Sequence, residues 1–257
     1  MNRYLFILCP PYSGSTLLWK LIGTSPNVSL LPNEGQFLPE LRPIMRKTPW
    51  EETVLPWAQI KSVWHGYWDE EKPILVEKSP SHLIRTKDLV EHFQPISFVI
   101  MVRDPYAHCE GMMRHHAWDV QTAVEFVAMT LQSQMNNAKK LENSIRFTYE
   151  VFTQEPARIS EELSKFLPEL GELDYKAEFK IHAVDGKVVR PITNLNQQKI
   201  VRLSYRQLRM INKVLKNYSK AMEYWGYEYF EPGLSHVFRY WTNKIVSKLQ
   251  RMLKGEK

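Results

Sequence analysis

The sequence predicts a single α/β domain in which a central parallel sheet is flanked by helices. Five mainly apolar runs, at 4–9, 28–31, 73–77, 96–102 and 145–149, predict strands, and those at 4–9, 73–77 and 96–102 have the nearly unbroken hydrophobicity of strands that are buried on both faces. Segments with helical spacing or helix-start signals separate these runs, as in βαβ units. The 257 residues, of which 44% are hydrophobic, are enough for one large domain, and no linker composition divides them.

The composition favours a protein that recognises negative charge. The formal net charge is +6 and the isoelectric point is near 9.1, which suits an anionic ligand, an acidic partner or a membrane surface. The two cysteines, Cys9 and Cys109, form neither a disulfide framework nor a metal-ligand pattern. No apolar stretch approaches the ~20 residues of a membrane span, and the first apolar run is too short for a signal peptide. A cytoplasmic enzyme in a reducing compartment is therefore predicted.

The first apolar run leads into a loop of small polar residues at the point where the first helix begins. The candidate ligand residues of this loop are Pro11, Tyr12, Ser13, Gly14, Ser15 and Thr16. Backbone N–H groups at the start of a helix have no partner within the helix, and they bind anions readily. The loop therefore predicts a phosphate-like site, with an ordinary capped helix start as the alternative.

Two further loops follow apolar strands and carry charged side chains. Lys78 and His82 follow the third apolar run, and Arg103 follows the fourth. Ligands collect at the carboxyl ends of parallel strands, so we expect these two loops and the first one to share one edge of the sheet. Glu34, in the turn after the second run, is a further candidate because it is a lone carboxylate in a turn.

The segment at 36–72 is rich in aromatic residues and contains half of the eight tryptophans, interleaved with acidic residues. One interpretation is a pair of helices that use the rings as core. The other is an acceptor-binding lid whose rings stack on a sugar or a cation. The two interpretations are compatible if only one face of the segment is buried.

The segment at 174–196 has little periodicity, and we predict a loop of basic character. Its candidate contacts to phosphate or substrate are Lys187, Arg190 and Asn194. Farther along, Ser204 and Gln207 form a capping box that predicts a helix start. The tail at 232–257 is predicted to be a basic amphipathic helix, which either docks on its own domain or contacts a membrane or an acidic partner.

The first loop does not have the residues of a Walker motif. That motif has a glycine separated by four residues from a Gly-Lys pair, but Cys9 occupies the position of the first glycine and Ser15 that of the lysine. A kinase with degenerate motifs stays as one alternative function. A non-catalytic module that binds anions or nucleic acid is another.

Three motifs resemble those of sulfotransferases that use 3′-phosphoadenosine-5′-phosphosulfate (PAPS). Pro11 with residues 13–16 resembles the 5′-phosphosulfate loop of that family, in which a proline precedes a Ser-Gly-Thr-Thr-like run. Residues 77–80, Glu-Lys-Ser-Pro, resemble a turn of its carbohydrate, tyrosyl-protein and bacterial members. Residues 103–105, Arg-Asp-Pro, resemble the start of its 3′-phosphate motif. The resemblance covers about residues 4–230 by order and spacing.

The resemblance implies a P-loop NTPase-like, three-layer fold over residues 1–257 and metal-independent sulfuryl transfer from PAPS. The acceptor is expected to be a hydroxyl or an amine of a small or carbohydrate-like molecule, and no nucleic-acid partner is expected. Glu34 occupies the position of the general base in the carbohydrate and tyrosyl branch, and His82 is its competitor because histidine is a natural base near neutral pH.

The sequence departs from the family pattern at two positions. Gly111 stands eight residues after Arg103, where the family has a serine that binds the 3′-phosphate, so Arg103, the backbone or a residue such as Arg114 must compensate. Tyr12 precedes Ser13, where many members have a lysine or arginine. We expect Lys78 to supply that missing cation.

Overall fold

The computed structural model describes residues 2–183 and 186–253, and a parallel sheet of five strands forms its centre. The strands of this sheet are β1 (Arg3–Leu8), β2 (Val28–Leu30), β3 (Ile74–Glu77), β4 (Ile96–Val102) and β5 (Ser144–Thr148). Their order is β2-β3-β1-β4-β5, and every pairing is parallel. The predicted α/β class and all five predicted strands are confirmed.

Helices connect the strands and follow the sheet. They are α1 (Ser15–Ile22), α2 (Arg42–Met45), α3 (Trp57–His65), α4 (Thr86–His92), α5 (Pro105–His116), α6 (Val120–Lys140), α7 (Tyr149–Gln154), α8 (Pro156–Phe166), α9 (Asn196–Ile200), α10 (Tyr205–Leu215), α11 (Ser219–Tyr224) and α12 (Leu234–Leu253). Short 3₁₀ turns at Gly35–Phe37 and Pro80–Ile84 precede α2 and α4. The predicted capping box forms at the start of α10, where Ser204 and Gln207 bond reciprocally.

The chain divides into two compact units by its contacts. The first unit comprises residues 1–102 and 133–193, and it contains the sheet. The second unit comprises residues 103–132 and 194–257. The single domain over 1–257 stays a prediction beside this division.

In the first unit, the two faces of the sheet bury different kinds of side chain. Leu5 and Ile7 of β1 belong to an aliphatic core with α1 and α8. Tyr4 and Phe6 alternate with them and therefore point to the opposite face, where Phe93 and Trp64 surround Phe6 edge-on or tilted. Helices thus cover both faces, as a three-layer fold requires.

Three of the four tryptophans in the segment 36–72 belong to the core. Trp57, Trp64 and Trp68 are buried. The indole N–H of Trp57 donates to Asp88 at 3.0 Å, and that of Trp68 donates to the Val76 carbonyl at 3.2 Å. The core interpretation therefore holds for these three rings, whereas the acceptor-binding lid stays a prediction.

The predicted loop at 174–196 is wrong for its middle part, because an antiparallel hairpin lies there. Its strands are β6 (Phe179–Ala183) and β7 (Gly186–Arg190). Alternation of apolar and polar residues at Phe179, Lys180 and Ile181 is the strand signal that the basic character of the segment obscured.

In the second unit, α12 begins close to the predicted position and leaves part of its apolar face exposed. His236 is buried, and its Nε2 lies 2.9 Å from the Leu203 carbonyl oxygen. Phe238, Trp241 and Ile245 are exposed. No helix within residues 2–183 and 186–253 is long and apolar enough to cross a membrane.

A buried glutamine ties the carboxyl ends of two strands together. Gln134 of α6 is fully buried, and its Nε2 donates to the Leu8 carbonyl of β1 at 2.6 Å and to the Met101 carbonyl of β4 at 3.3 Å. These carbonyls lie where the strands end, and β1 leads there into the loop before α1. Gln134 therefore helps to fix the strand end from which this loop departs.

We predict that Gln134→Leu lowers the free energy of unfolding by about 1–3 kcal/mol, because two buried carbonyls lose their side-chain donor. Urea unfolding measures the change. Gln121→Leu, an exposed position on the same helix, is the matched control and should change stability by less than about 0.5 kcal/mol. Equal effects of the two substitutions would contradict the role of Gln134.

Candidate functional site

The loop between β1 and α1 has the backbone form of an anion cradle. Gly14, the N-cap residue of α1, has a φ of 101°, in the left-handed region that favours glycine. A Cβ at this position would lie 2.5 Å from Cδ2 of Tyr149, so a larger residue does not fit. The first amides of α1, at Ser15 and Thr16, have no acceptor within the helix and are available to an anion.

Ser13 serves the loop differently from its neighbours. Its side chain is fully buried, and its hydroxyl donates to the Pro10 carbonyl and lies 3.0 Å from the Cys9 Sγ. The hydroxyl therefore stabilises the turn from inside. Tyr12 is half-buried with a φ of 59°, and Pro11 is half-buried beside it.

Lys78 joins the loop to the predicted base. Its side chain is only 7% exposed, and Nζ donates to Thr16 Oγ1 at 3.2 Å and to Glu34 Oε1 at 3.0 Å. Nζ also lies 5.9 Å from the centroid of the Trp19 ring. Three residues predicted from separate loops therefore meet at one ammonium group.

Glu34 is held in place but retains access to solvent. Its side chain is 16% exposed. While Oε1 accepts from Lys78, Oε2 accepts from Gln36 Nε2 at 2.7 Å. The backbone N–H of Glu34 donates to Asn33 Oδ1 at 2.8 Å, which fixes the turn. A carboxylate with this partial exposure can accept a proton from a neighbouring molecule.

Glu77 connects the turn of Glu34 to the turn of Lys78. Its Oε1 accepts from the Gly35 N–H and the Ser79 hydroxyl, both at 2.6 Å, and its Oε2 accepts from the Ser79 N–H at 2.8 Å. The Ser79 hydroxyl in turn accepts from the Gln36 N–H at 3.0 Å. Backbone groups next to Glu34 and Lys78 are thus fixed to one buried carboxylate.

His82 is the fully buried partner of Glu77. Its Nε2 lies 2.6 Å from Glu77 Oε2, and its ring packs edge-on against Phe6 and Trp64. Burial acts to raise the pKa of Glu77, but His82 and the hydrogen bonds from Ser79 outweigh it, so this pKa is lower than usual. The enclosed ring has no exposed surface for an acceptor, which favours Glu34 over His82 as the base.

Arg103 lies at the start of the second unit, directly after β4. It is buried, and its Nε donates to Asn196 Oδ1 at 2.8 Å. Asp104 caps α5, since its Oδ1 accepts from the Ala107 N–H at 2.9 Å. The neighbouring helix α9 therefore holds the guanidinium of Arg103 in a fixed orientation through Asn196.

A cluster of charged side chains surrounds α9 in the same unit. Glu110 is buried, and its Oε1 lies 2.9 Å from Arg114 Nε and 3.9 Å from Arg202 Nη1. Lys199 of α9 is buried too. Burial lowers the pKa of Lys199 to about 6, and Arg103, Arg114 and Arg202 act in the same direction while Glu110 opposes them. We call Arg103, Arg114, Lys199 and Arg202, together with Glu110, the basic cluster.

The structure describes three of the four remaining predicted residues, Gly111, Arg190 and Asn194, with their surroundings. Gly111 is buried in α5 and offers no side chain. Two guanidinium nitrogens of Arg190, Nε and Nη2, are buried without a hydrogen-bond partner among the described residues. Asn194 accepts from the Asn196 N–H at 2.9 Å. The side chain of Lys187 in β7 lies outside the described part of the chain.

Sequence reasoning missed Gln36, Lys199 and Arg202. Gln36 has no motif of its own, and only its distance of two residues from Glu34 could have suggested it. Lys199 and Arg202 are two of many basic residues, and only the packing of α9 against α5 brings them to Arg114. Within the described residues, no group of three or more His, Cys, Asp or Glu side chains is placed to hold a metal ion.

Comparison with known proteins gives one family. The profile of the group described as "Sulfotransferase family" matches residues 5–169, which is more than half of the chain. These residues include the loop before α1, the Glu34 turn and the Lys78 turn. No curated protein matches the chain significantly.

Solved structures share the fold. The sulfotransferase domain from the curacin biosynthetic pathway has a TM-score of 0.53 and 20% identity, with 89% of this chain and 99% of that one covered. The sulfotransferase domain of the Synechococcus PCC 7002 olefin synthase has a TM-score of 0.52 and 16% identity, with 83% of this chain and 94% of that one covered. A sulfotransferase from Alicyclobacillus acidocaldarius has a TM-score of 0.56 and 10% identity, with 89% of this chain and 97% of that one covered.

The lowered pKa of Glu77 predicts a specific dependence of stability on pH. The ionised carboxylate stabilises the folded chain above its unfolded pKa, near 4.5, and this contribution is lost as the pH falls through the lower folded pKa. Glu77→Gln should therefore be less stable than the wild type by about 3 kcal/mol at pH 7. The difference should shrink towards pH 3.

Urea unfolding between pH 7 and pH 3 measures this dependence. Glu91→Gln, at an exposed position of α4, is the control and should track the wild type throughout. A Glu77→Gln deficit that stays constant with pH would show that the substitution acts through packing alone.

Proposed function

The chain belongs to the sulfotransferase family, and on that basis we propose that it transfers the sulfuryl group of PAPS to an acceptor hydroxyl or amine. We propose Glu34 as the general base and Lys78 as the cation that stabilises the leaving oxygen. The acceptor in this proposal is a small or carbohydrate-like molecule. Metal independence and a cytoplasmic location stay predictions from the sequence.

One observation carries the proposal: Lys78 Nζ bridges Thr16 Oγ1 of the anion cradle and Glu34 Oε1. Sulfuryl transfer requires a base at the nucleophile and positive charge at the bridging oxygen that leaves. In this arrangement, the ammonium group lies between the loop that would hold the donor and the carboxylate that would receive the proton. Such fixed positioning removes much of the entropic cost of bringing the groups together.

The residues of the first loop fit the 5′-phosphosulfate. The free amides at the start of α1 and the Thr16 hydroxyl are donors suited to its oxygens, and Lys78 adds a charge-assisted contact. The lysine makes up for Tyr12, which carries no charge at the position of the usual cation. Ser13 contributes through the shape of the turn, since its hydroxyl is bonded to the Pro10 carbonyl.

The proposed step balances in atoms and charge. The acceptor oxygen or nitrogen attacks sulfur in line and forms the new bond to sulfur, while its proton passes to the Glu34 carboxylate. The bond between sulfur and the bridging oxygen breaks, and its electrons stay on the phosphate oxygen near Lys78. The products are the sulfated acceptor and 3′-phosphoadenosine-5′-phosphate (PAP).

For the 3′-phosphate, we propose Arg103 as a ligand. It is buried and oriented by Asn196, and a guanidinium binds phosphate oxygens through parallel N–H donors. Gly111 supplies no hydroxyl, so another group of the second unit must take the role of the missing serine. Lys187, Arg190 and Asn194 are proposed as further contacts to the donor or the acceptor, and the unsatisfied nitrogens of Arg190 support its inclusion.

A basic hollow in the segment 36–72 makes an acceptor with negative charge a further candidate. The hollow is lined by Phe37, Arg42, Pro43, Arg46 and Lys47, and the Arg46 guanidinium lies 5.0 Å from the centroid of the Phe37 ring. The buried tryptophans of this segment are unavailable for stacking on a sugar. Acidic carbohydrates therefore belong in the first acceptor panel, beside neutral sugars and small alcohols and amines.

We predict that Glu34→Gln retains PAP affinity and lowers turnover by about 10²–10⁴-fold, the usual contribution of a general base. Lys78→Met should lower turnover by about 10²-fold or more, because the leaving oxygen loses its cation. The assay measures PAP formation from labelled PAPS with the acceptor panel, and calorimetry measures PAP binding. Glu52→Gln and Lys87→Met, at exposed positions, are the controls.

Three results would contradict the proposal. An unchanged rate in Glu34→Gln would remove Glu34 from the role of base. Consumption of ATP that requires Mg²⁺, without PAP formation from PAPS, would favour a kinase. Salt-sensitive binding to polynucleotides without PAP affinity would favour a non-catalytic module.

A further inference from the structure

Lys199 is a buried lysine whose amine lacks a partner. Lys199 is 5% exposed, and no hydrogen bond or ion pair joins its Nζ to another residue in the described part of the chain. Burial of a lysine to this extent disfavours its charged form, so a lysine is rare at such a position unless a partner or a ligand stabilises it.

The surroundings of Lys199 add positive charge. The charged groups that act on its amine are the guanidinium groups of Arg103, Arg114 and Arg202 and the carboxylate of Glu110. Glu110 already accepts from Arg114 at 2.9 Å and lies 3.9 Å from Arg202, so this single carboxylate faces two guanidinium groups. The basic cluster therefore has an excess of positive charge that an anion would neutralise.

Burial, together with the excess charge, explains the state of the amine without a ligand. Burial first, and the neighbouring arginines second, lower the pKa of Lys199 to about 6. Lys199 is therefore mostly neutral above pH 7 in the free protein. A dianion beside it would reverse this balance, since an opposite charge within a few ångströms favours the protonated form.

We propose that Lys199 is a proton-coupled ligand for a phosphate monoester dianion, and that its amine takes up a proton from solvent when the dianion enters the basic cluster. This proposal rests on the proposed function, in which the dianion is the 3′-phosphate of PAPS or PAP. Lys199 then takes the role of the family's serine, whose position is occupied by Gly111. The proton taken up forms the third N–H bond of the ammonium group.

The consequence is an affinity for PAP that depends on pH. Above pH 7.5 the phosphate monoester is already a dianion, so its own titration adds little. The affinity for PAP should then fall about tenfold per pH unit, because each binding event requires one more proton. Adenosine 5′-monophosphate, which lacks the 3′-phosphate, should show no such dependence.

Titration calorimetry at pH 8 in two buffers of different protonation enthalpy tests the proposal. The wild type should take up about one proton per PAP bound. Lys199→Arg, which keeps a permanent charge, should bind PAP without proton uptake, and Lys199→Met should bind more weakly and also without uptake. Lys213→Met, at an exposed position of α10, is the matched control and should retain the uptake.

The outcomes separate this inference from the proposed function. PAP binding by the wild type without proton uptake would overturn the role of Lys199 and leave the sulfotransferase proposal standing. Uptake that persists in Lys199→Met would assign the proton to another group and overturn it as well. Failure of the wild type to bind PAP at all would contradict the proposed function itself. The wild-type measurement decides the question even if a variant fails to fold.

Discussion

The ion pair between Lys78 and Glu34 joins the anion cradle to the proposed base. Two side chains from separate turns can form this pair only if both turns are rigid. Glu77 provides that rigidity: it accepts hydrogen bonds from groups in each turn, and His82 Nε2 lies 2.6 Å from its Oε2 in a fully buried place. A buried carboxylate without such partners would be strongly destabilising. The Lys78–Glu34 pair therefore depends on the hydrogen bonds of Glu77.

At both departures from the family pattern, a charged side chain at another position lies where the usual polar or charged residue is missing. In the first unit, the uncharged Tyr12 occupies the position of a usual loop cation, and Lys78 brings an ammonium group to Thr16 instead. In the second unit, Gly111 offers no hydroxyl, whereas Lys199 and the arginines around Glu110 concentrate positive charge. In both places, the proposed ligand would meet positive charge from a residue at a different position in the chain.

The regular part of the fold could be predicted from the sequence because its signals are local. Nearly unbroken apolar runs identify β1, β3 and β4, and Asp119, Ser204 and the prolines at helix starts identify the caps. The hairpin β6–β7 could not be predicted in the same way, since its basic residues break the apolar pattern that marks a strand. The loops of Thr16 and Lys78 could be brought together by topology, because parallel strands end at one edge, whereas the role of Glu34 rests on the family resemblance. The basic cluster could not, since it depends on how α9 packs against α5.

A double-mutant cycle between Glu34 and Lys78 tests the central claim most directly. The measurement is the rate of PAP formation from PAPS in the wild type, Glu34→Gln, Lys78→Met and the double variant. If the two groups act on one transferred sulfuryl group as a unit, the double variant is far less impaired than the product of the two single effects. Single effects that simply multiply would contradict the account, because they would show two residues that act independently.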